Sequence, residues 1–569
     1  MGQQAGDNLH GGAPRTSASL CRLGTLRDLP AGRHTGKIRE DTGTRARTSP
    51  HCLYRLKFLV QNVALTRSST HTVGAMHKLT RFGSFSVIAL LLAGCSGSHP
   101  TVKVSALRWA ACPTETTRKT PAAASLECAK MLVPLDYGRP DGEKIEISVT
   151  RAKATGSRKG SVVLNFGGPG VSGMETLPKL VGSYKALNVN LDLVSFDPRG
   201  VGRSMPVSCP SGSAVDALFG EDASPDTAAE AAAYEGVLRK NIQECRQESG
   251  KLLPHVGTAS TAKDMDALRA ALGDEKLNFF GISYGTLLGA NYAHQFPERV
   301  GRTVLDGAVD PKTSLASKEW SLEQAASFEL ALSEYAKDCS KTGCGLGSSV
   351  SAVKKAVMDI VTAAEVKPLR TKQGPRLNRT LAYNGVISTL YSKDLWPYLT
   401  KAVKSAKAGD GSLLMAFAGQ QTGKRPDGTY DNSAASRQAI NCADTTKRYT
   451  STEVASAFPA FLKASAIFGP SLAGESQLCT GWPYKGEDTY KATSAPGSAT
   501  PIVVIGNRYD PAAPYAASGR LAQALGHARH VTLNGHGHGA YNTGDPCIQD
   551  LVNTYFLDGT VPKDGATCG

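Results

Sequence analysis

The chain has 569 residues, 41% of them hydrophobic and 20% charged, ordinary globular usage that excludes collagen-like, fibrous and wholly disordered chains. Its net charge of +15 gathers at the start: residues 1–75 hold 11 Lys/Arg against 4 Asp/Glu, Lys78 and Arg81 follow, and +6 remains over the 475 residues from Cys95 onward. A balance that thin, with no dense Lys/Arg stripe, leaves no nucleic acid among the expected partners. A single short apolar run near the start excludes a polytopic membrane protein.

Residues 1–75 are rich in Arg, Gly, Thr and Ser and show no sustained period of 2 or 3.6. Met76 opens a different pattern: a basic stretch with Lys78 and Arg81, then about 11 apolar residues from Phe82 to Leu92, too short to span a bilayer. The run closes on Leu92-Ala93-Gly94-Cys95, which resembles the bacterial lipobox, whose cysteine is lipidated and becomes the N-terminus. The expected organisation is a mis-called upstream extension (1–75), a lipoprotein signal peptide (76–94) and a Ser/Thr/Pro/Ala-rich tether (95–125) lipidated at Cys95. Such a protein is exported, either as a cell-surface lipoprotein or secreted, and meets the membrane only through that anchor.

Cysteine usage points the same way. Of 13 cysteines, ten follow the anchor: Cys112, Cys128, Cys209, Cys245, Cys339, Cys344, Cys442, Cys479, Cys547 and Cys568. No Cys-x-x-Cys or Cys/His cluster suggests zinc, so no metal is expected. Disulfides persist in oxidising compartments, and the sequence-adjacent couples 112–128, 209–245, 339–344, 442–479 and 547–568 are the expected pairs. Each closes a local loop and constrains the unfolded chain by about 2–4 kcal/mol.

From about 130, short β-branched runs alternate with helical stretches. Met131–Pro134 and Lys144–Arg151 read as an antiparallel pair, while Ser161–Phe166, Leu191–Phe196, Lys276–Gly281 and Arg302–Asp306 read as buried strands. Thr261–Leu272 has helical spacing and stops at Gly273, and a further helix runs from about Tyr284 to Gln295. From 310 to 497 the pattern is mainly helical, clearest over Glu319–Lys337, Val350–Ala364 and Trp396–Lys407, with Pro397 in a first turn. Alternation resumes at Pro501–Ile505, Tyr515–Leu525 and His530–Leu533. The fold class is α/β: a core in two parts, 126–309 and 498–569, with a helical cap inserted between them at 310–497.

Gly281-Ile282-Ser283-Tyr284-Gly285 matches G-x-S-x-G, weak alone, but it stands where an apolar strand ends and a helix begins, the setting of a nucleophile elbow. A serine needs an adjacent base, itself oriented by a carboxylate. Downstream, Asp510 lies just past a strand, and His536 and His538 just past the final one; Asp310 is a rival acid and His536 a rival base. An oxyanion hole needs two backbone N–H groups. One is expected from Tyr284, after the nucleophile, and the other from Gly168 in Asn165-Phe166-Gly167-Gly168-Pro169-Gly170.

The motifs N-F-G-G-P-G-V-S-G (165–173), D-P-R-G-V-G-R-S (197–204), G-I-S-Y-G-T (281–286), V-L-D-G-A-V-D-P (304–311), N-R-Y-D-P (507–511) and G-H-G-H-G (535–539) resemble the secreted tripeptidyl aminopeptidases of actinobacteria, in order and over about 125–569. These form part of a proline-iminopeptidase-like branch of the α/β-hydrolases. The resemblance implies an α/β-hydrolase fold with an eight-stranded core, a helical cap and a TAP-like C-terminal segment. By motif position it carries nucleophile, acid and base to Ser283, Asp510 and His538. Phe166 and Val171 depart from the family's Asn-Pro-Gly-Gly-Pro-Gly-Gly, which is expected to reshape the substrate mouth, and His536 replaces an aromatic.

The expected activity is therefore that of a serine exopeptidase releasing short peptides, tripeptides first, from free N-termini, without cofactor. The alternatives are a carboxylesterase or lipase-like lipoprotein on the same triad, because fold and triad do not fix the leaving group, and a non-catalytic surface lipoprotein. A cationic N-terminus calls for a carboxylate in the cap. Asp444, two residues past Cys442, is the expected acceptor, with helix capping at Thr445 or pairing with Lys447 as the bland alternatives.

Overall fold

The aliphatic and β-branched runs assemble into one ten-stranded sheet in the computed structural model, which describes residues 106–113 and 126–569 apart from 210, 211, 225, 226, 373 and 496. The expected extension, signal peptide, Cys95 and most of the tether lie outside the described residues. In chain order the strands are β1 (Ala110–Ala111), β2 (Leu126–Pro134), β3 (Lys144–Ala152), β4 (Gly160–Asn165), β5 (Leu191–Phe196), β6 (Leu277–Ile282), β7 (Val300–Asp306), β8 (Ile502–Tyr509), β9 (Ala528–His536) and β10 (Ala566–Cys568). Their spatial order is β1-β2-β3-β5-β4-β6-β7-β8-β9-β10. The pairings as far as β3·β5 are antiparallel, and those from β5·β4 to β9·β10 are parallel. Every residue of β5 is buried, as a strand covered on both faces requires, whereas β2 mixes buried and exposed positions.

Two strands more than the resemblance implies come from the edges. Each added strand is tied by a disulfide: Cys112, just after β1, bonds Cys128 of β2, and Cys568 of β10 bonds Cys547. β9 is therefore not the last strand. All ten cysteines pair as the sequence-adjacent couples, including Cys209–Cys245, Cys339–Cys344 and Cys442–Cys479.

On the core pack α1 (Gly173–Leu180), α4 (Thr258–Leu272), α5 (Tyr284–Gln295), α14 (Tyr515–Leu525) and α15 (Pro546–Asp558), while α2 (Gly212–Gly220) and α3 (Ala228–Ser249) form a hairpin between β5 and α4. The cap consists of α6 (Lys318–Thr342), α7 (Val350–Val366), α8 (Arg379–Leu390), α9 (Trp396–Lys407), α10 (Ser412–Thr422), α11 (Ser433–Ala443), α12 (Ser451–Ala464) and α13 (Gly469–Glu475). It has an apolar centre of its own, with Phe328, Leu332, Val357, Leu399, Val403 and Phe468 buried together. The α2–α3 hairpin joins this cap: Asn378 donates to the carbonyls of Phe219 and Gly220 at 3.0 and 2.8 Å, and Thr380 bonds Glu221 and Ala223. The sequence reading gave that segment no element of its own.

Strand order turns at β4, whose successor β5 lies on one side and β6 on the other. Ligands of open α/β sheets sit beyond the carboxyl ends of strands at such a switch point. Here the Gly167–Gly168 turn follows β4, and Ser283 follows β6.

The D-P-R-G motif holds this end of the molecule together. Arg199 is fully buried, donates to both oxygens of Asp264 at 2.6–2.7 Å, and reaches the carbonyls of Pro134, Leu135 and His255. Removing one partner of a buried pair like this costs about 3–5 kcal/mol, because the other charge is stranded. Asp197 accepts from the Ser172 hydroxyl (2.6 Å) and from the N–H groups of Met174 (3.0 Å) and Arg203 (2.7 Å), fixing the chain that leaves the glycine turn.

Candidate active site

Ser283 has φ 57° and ψ −122°, a conformation that costs a non-glycine residue about 1–3 kcal/mol and persists only where its surroundings impose it. They do so here. The Ser283 N–H donates to the Asp306 carbonyl at 2.9 Å, and the Ser283 carbonyl accepts from the N–H and hydroxyl of Thr286 at 2.8 and 2.7 Å. The flanking glycines are steric requirements: a Cβ on Gly281 would lie 2.3 Å from the Gly285 carbonyl oxygen, and one on Gly285 would lie 2.8 Å from the carbonyl oxygen of Asn165. Gly167, at φ 91°, packs directly over the serine, since a Cβ there would sit 2.9 Å from the Ser283 Cβ. The Asn165 side chain takes the Gly167 N–H at 3.1 Å, so Gly168 and Tyr284 remain the candidate oxyanion donors, the latter at the positive end of α5.

β6 and β7 pair in register Ile282 to Asp306, which sets Gly307 beside Ser283. Gly307 in turn packs on the other two candidates: a Cβ on it would lie 3.4 Å from Asp510 Oδ2 and from His538 Cε1. Asp510, one residue past β8, accepts from the N–H groups of Ala512 (2.9 Å) and Ala513 (2.8 Å) and from Gly539 (3.0 Å). His538 Nδ1 lies 2.9 and 3.0 Å from its two oxygens. A carboxylate only accepts, so Nδ1 carries the proton and Nε2 keeps its lone pair. The cap secures the ring from above, where the His538 N–H donates to the Tyr391 carbonyl at 2.8 Å and the two rings meet edge to face at 5.2 Å.

The rivals lie elsewhere. Asp310 is buried in an ion pair with Arg520 at 2.5 Å. His536 stacks on Tyr509 at 4.8 Å, meets Trp396 edge-on at 5.3 Å and reaches Glu334 at 3.4 Å. Its ring is thus spent on packing. Phe166 turns away from the mouth and packs on Tyr184, at 6.3 Å between ring centroids.

Serine protease Hip1 of Mycobacterium tuberculosis is 36% identical over 518 residues, covering 86% of this chain and 97% of that one. The family described as TAP-like protein matches residues 464–568, which include Asp510 and His538. The chain belongs to the TAP-like family of α/β-hydrolases. The chain is also 34% identical to carboxylesterase B of M. tuberculosis over 78% of its length and 86% of that chain. It is 31% identical to the tripeptidyl aminopeptidase of Streptomyces coelicolor over 78% of its length and 83% of that chain. It is a serine hydrolase.

Above Ser283 lies a cavity of about 720 Å³, walled by the core (Gly168, Val309), the hairpin (Leu218, Tyr234) and the cap (Phe328, Tyr383). Asp444 is not on this wall. It is buried at the C-terminal end of α11, where it accepts the Thr258 N–H at 2.7 Å and the Thr258 hydroxyl at 2.5 Å, and Thr258 in turn meets the Tyr284 hydroxyl at 2.7 Å. Burial pushes its carboxyl up to about 7 against those bonds. It thus caps α4, whose own N-cap is the side-chain-less Gly257, and neither starts a helix at Thr445 nor pairs with Lys447. Among the described residues two carboxylates do line the cavity, Asp431 and Glu475. Asp431 is engaged with the N–H and hydroxyl of Ser433 at 3.0 and 2.5 Å. Glu475, the last residue of α13, is exposed on the cavity wall near Arg437 and Tyr383; dehydration holds its carboxyl above the usual range, with Arg437 drawing it back. Nothing in its local sequence marks it.

For His538, burial draws the pKa down, but the charge and hydrogen bond of Asp510, with Asp306 adding, leave it raised above 6.5. A base must be neutral to accept a proton, so activity is lost as pH falls through that raised value. The acid limb of kcat/KM is expected to have its midpoint above pH 6.5, measured with a substrate that does not itself titrate there; a midpoint below 6 contradicts the assignment.

Proposed function

We propose that the protein is an exported serine exopeptidase that removes short peptides, tripeptides first, from free N-termini. The observation that carries this reading is the cavity itself: a serine on a strained elbow at its base and a carboxylate, Glu475, on its cap wall. An N-terminal amine has a pKa of about 7.7–8.0 and enters largely as a cation, so a partly dehydrated carboxylate is its natural acceptor. The cap wall that holds Glu475 meets the serine in a cavity of about 720 Å³, the size of a small-ligand pocket and not of an open protein groove. Glu475 takes over here the role that the sequence suggested for Asp444. Five disulfides favour an oxidising, exported setting, and the lipobox-like Cys95 supplies the anchor.

In this reading Ser283 Oγ attacks the scissile carbonyl while His538 Nε2 takes its proton, and Asp510 stabilises the imidazolium. The N–H groups of Gly168 and Tyr284 receive the oxyanion. Collapse passes the proton to the departing amine and leaves the acyl group on Ser283. Water, activated by the same imidazole, then releases the peptide. No cofactor or metal enters the scheme.

A carboxylesterase is the second reading, favoured by the 34% identity to carboxylesterase B. The two are separated with a tripeptidyl anilide, its N-acetylated twin and a short-chain nitrophenyl ester. The expected result is a kcat/KM for the free-amine anilide at least about 100-fold above that of its acetylated twin. Turnover of the ester alone sinks the peptidase reading, and indifference to acetylation sinks the exopeptidase one.

A further inference from the structure

We propose that Asp306 is a positioning residue for the base, a buried side chain that locks the loop carrying His538 to the strand end that supports the nucleophile elbow. The proposal rests on the roles assigned above to Ser283 and His538. Asp306 closes β7 and is 1% exposed. Its main chain faces the nucleophile, accepting the Ser283 N–H at 2.9 Å. Its side chain faces the base loop: both oxygens accept the Ala540 N–H, at 2.8 and 2.9 Å, and Oδ2 also accepts the Tyr541 N–H at 2.9 Å. The N–H just before these, that of Gly539, goes to Asp510. Three consecutive amides after His538 are therefore shared between two carboxylates, one of them the imidazole's own partner.

A buried carboxylate satisfied only by backbone amides is an expensive way to hold a turn, since an apolar residue would strand no charge. Its placement serves the reaction instead. The ionisable groups facing Asp306 are His538 and Asp510 from the loops after β9 and β8, and the Tyr184 hydroxyl from the segment before β5. Those facing His538 are Asp510 and Asp306, with the Tyr391 ring from the cap. When His538 takes the serine proton, the new cation is met by two negative charges, and the loop that aims the ring is held by the second of them. Burial also pushes the Asp306 carboxyl up to about 6, against the pull of its two amides, so this second charge fades on acidification.

The test is Asp306→Asn, which keeps the shape and removes the charge, read alongside Ser283→Ala. Folded, competent sites are counted by titration with a serine-directed fluorophosphonate, so that unfolded molecules do not enter the rate. Per titrated site, kcat for the preferred substrate is expected to fall about 100-fold with KM nearly unchanged, the scale of a misplaced catalytic group. The acid limb of the pH profile is expected to move to lower pH, because the imidazolium has lost a neighbouring anion. Should Asp306→Asn yield no folded protein, Ala540→Pro, which deletes one donated N–H and leaves the carboxylate, is expected to lower kcat and spare KM. A wild-type kcat per site with an unmoved acid limb, or a wild-type rate in Ala540→Pro where that variant is needed, overturns the proposal. If Ser283→Ala itself retains the wild-type rate, it is the catalytic reading that has failed and not the positioning one.

Discussion

Ser283→Ala is expected to lower kcat by about 10⁴-fold or more on any substrate the enzyme turns over, while leaving the fold intact. The members of a nucleophile–base–acid set act as a unit, and what remains after one is deleted comes from the oxyanion donors and binding alone. The substitution is structurally mild. The strained backbone at φ 57° is imposed by main-chain bonds to Asp306 and Thr286 that alanine retains. His538→Ala belongs to the same unit and should fall to a similar floor. His536→Ala should stay within a few-fold of the wild type, because its ring is spent on Tyr509, Trp396 and Glu334. Steady-state turnover of the tripeptidyl anilide by the three variants checks this. A dead His536→Ala beside an active His538→Ala would show the base to be misassigned.

The second large effect is expected at Glu475. Glu475→Gln keeps the volume of the side chain and its place at the end of α13 but removes the charge proposed above to meet a substrate ammonium. Substrate filling the cavity would shut this pair off from bulk water, and truncating one partner of such an enclosed charge pair costs about 2–5 kcal/mol, roughly 30-fold to several-thousand-fold in kcat/KM for free-amine peptides. N-acetylated and ester substrates, which bring no cation, should lose little. The sign of the pH effect follows from the substrate. Above about pH 8 the amine is neutral, so the wild type's advantage over Glu475→Gln should shrink as pH rises through that value. Equal loss on every substrate would mark a damaged fold, and no loss would remove Glu475 from the site.

The parts of this site that could be read from sequence are those set by local chemistry. Gly281, Ser283 and Gly285 announce an elbow because only glycines fit where a Cβ would strike backbone at 2.3 and 2.8 Å. Gly273 ends α4 in the left-handed conformation expected of it, and the cysteine couples close because their partners lie nearby along the chain. Asp510 follows a strand of unbroken burial from Ile502 to Asn507, a signal the β-branched run carries by itself. What escaped depends on distant packing. Asp444 looked available because Cys442 fixes it, yet α4 lacks a capping side chain at Gly257 and claims both of its oxygens. Glu475 sits in a seven-residue helix whose sequence resembles a loop, and only its approach to Tyr383 and Arg437 marks it out. The α2–α3 hairpin was missed for a similar reason, since its place over the cavity is set by contacts with Asn378 and Thr380, more than 150 residues further along the chain.

The most direct test of the account is to trap the intermediate. The enzyme is mixed with a tripeptidyl ester bearing a free amine, quenched in acid during turnover, digested and mapped by tandem mass spectrometry. The account predicts a tripeptidyl adduct on the peptide containing Ser283, at that residue, in the wild type and not in Ser283→Ala. Turnover without any adduct on Ser283, or an adduct on another side chain, would contradict it.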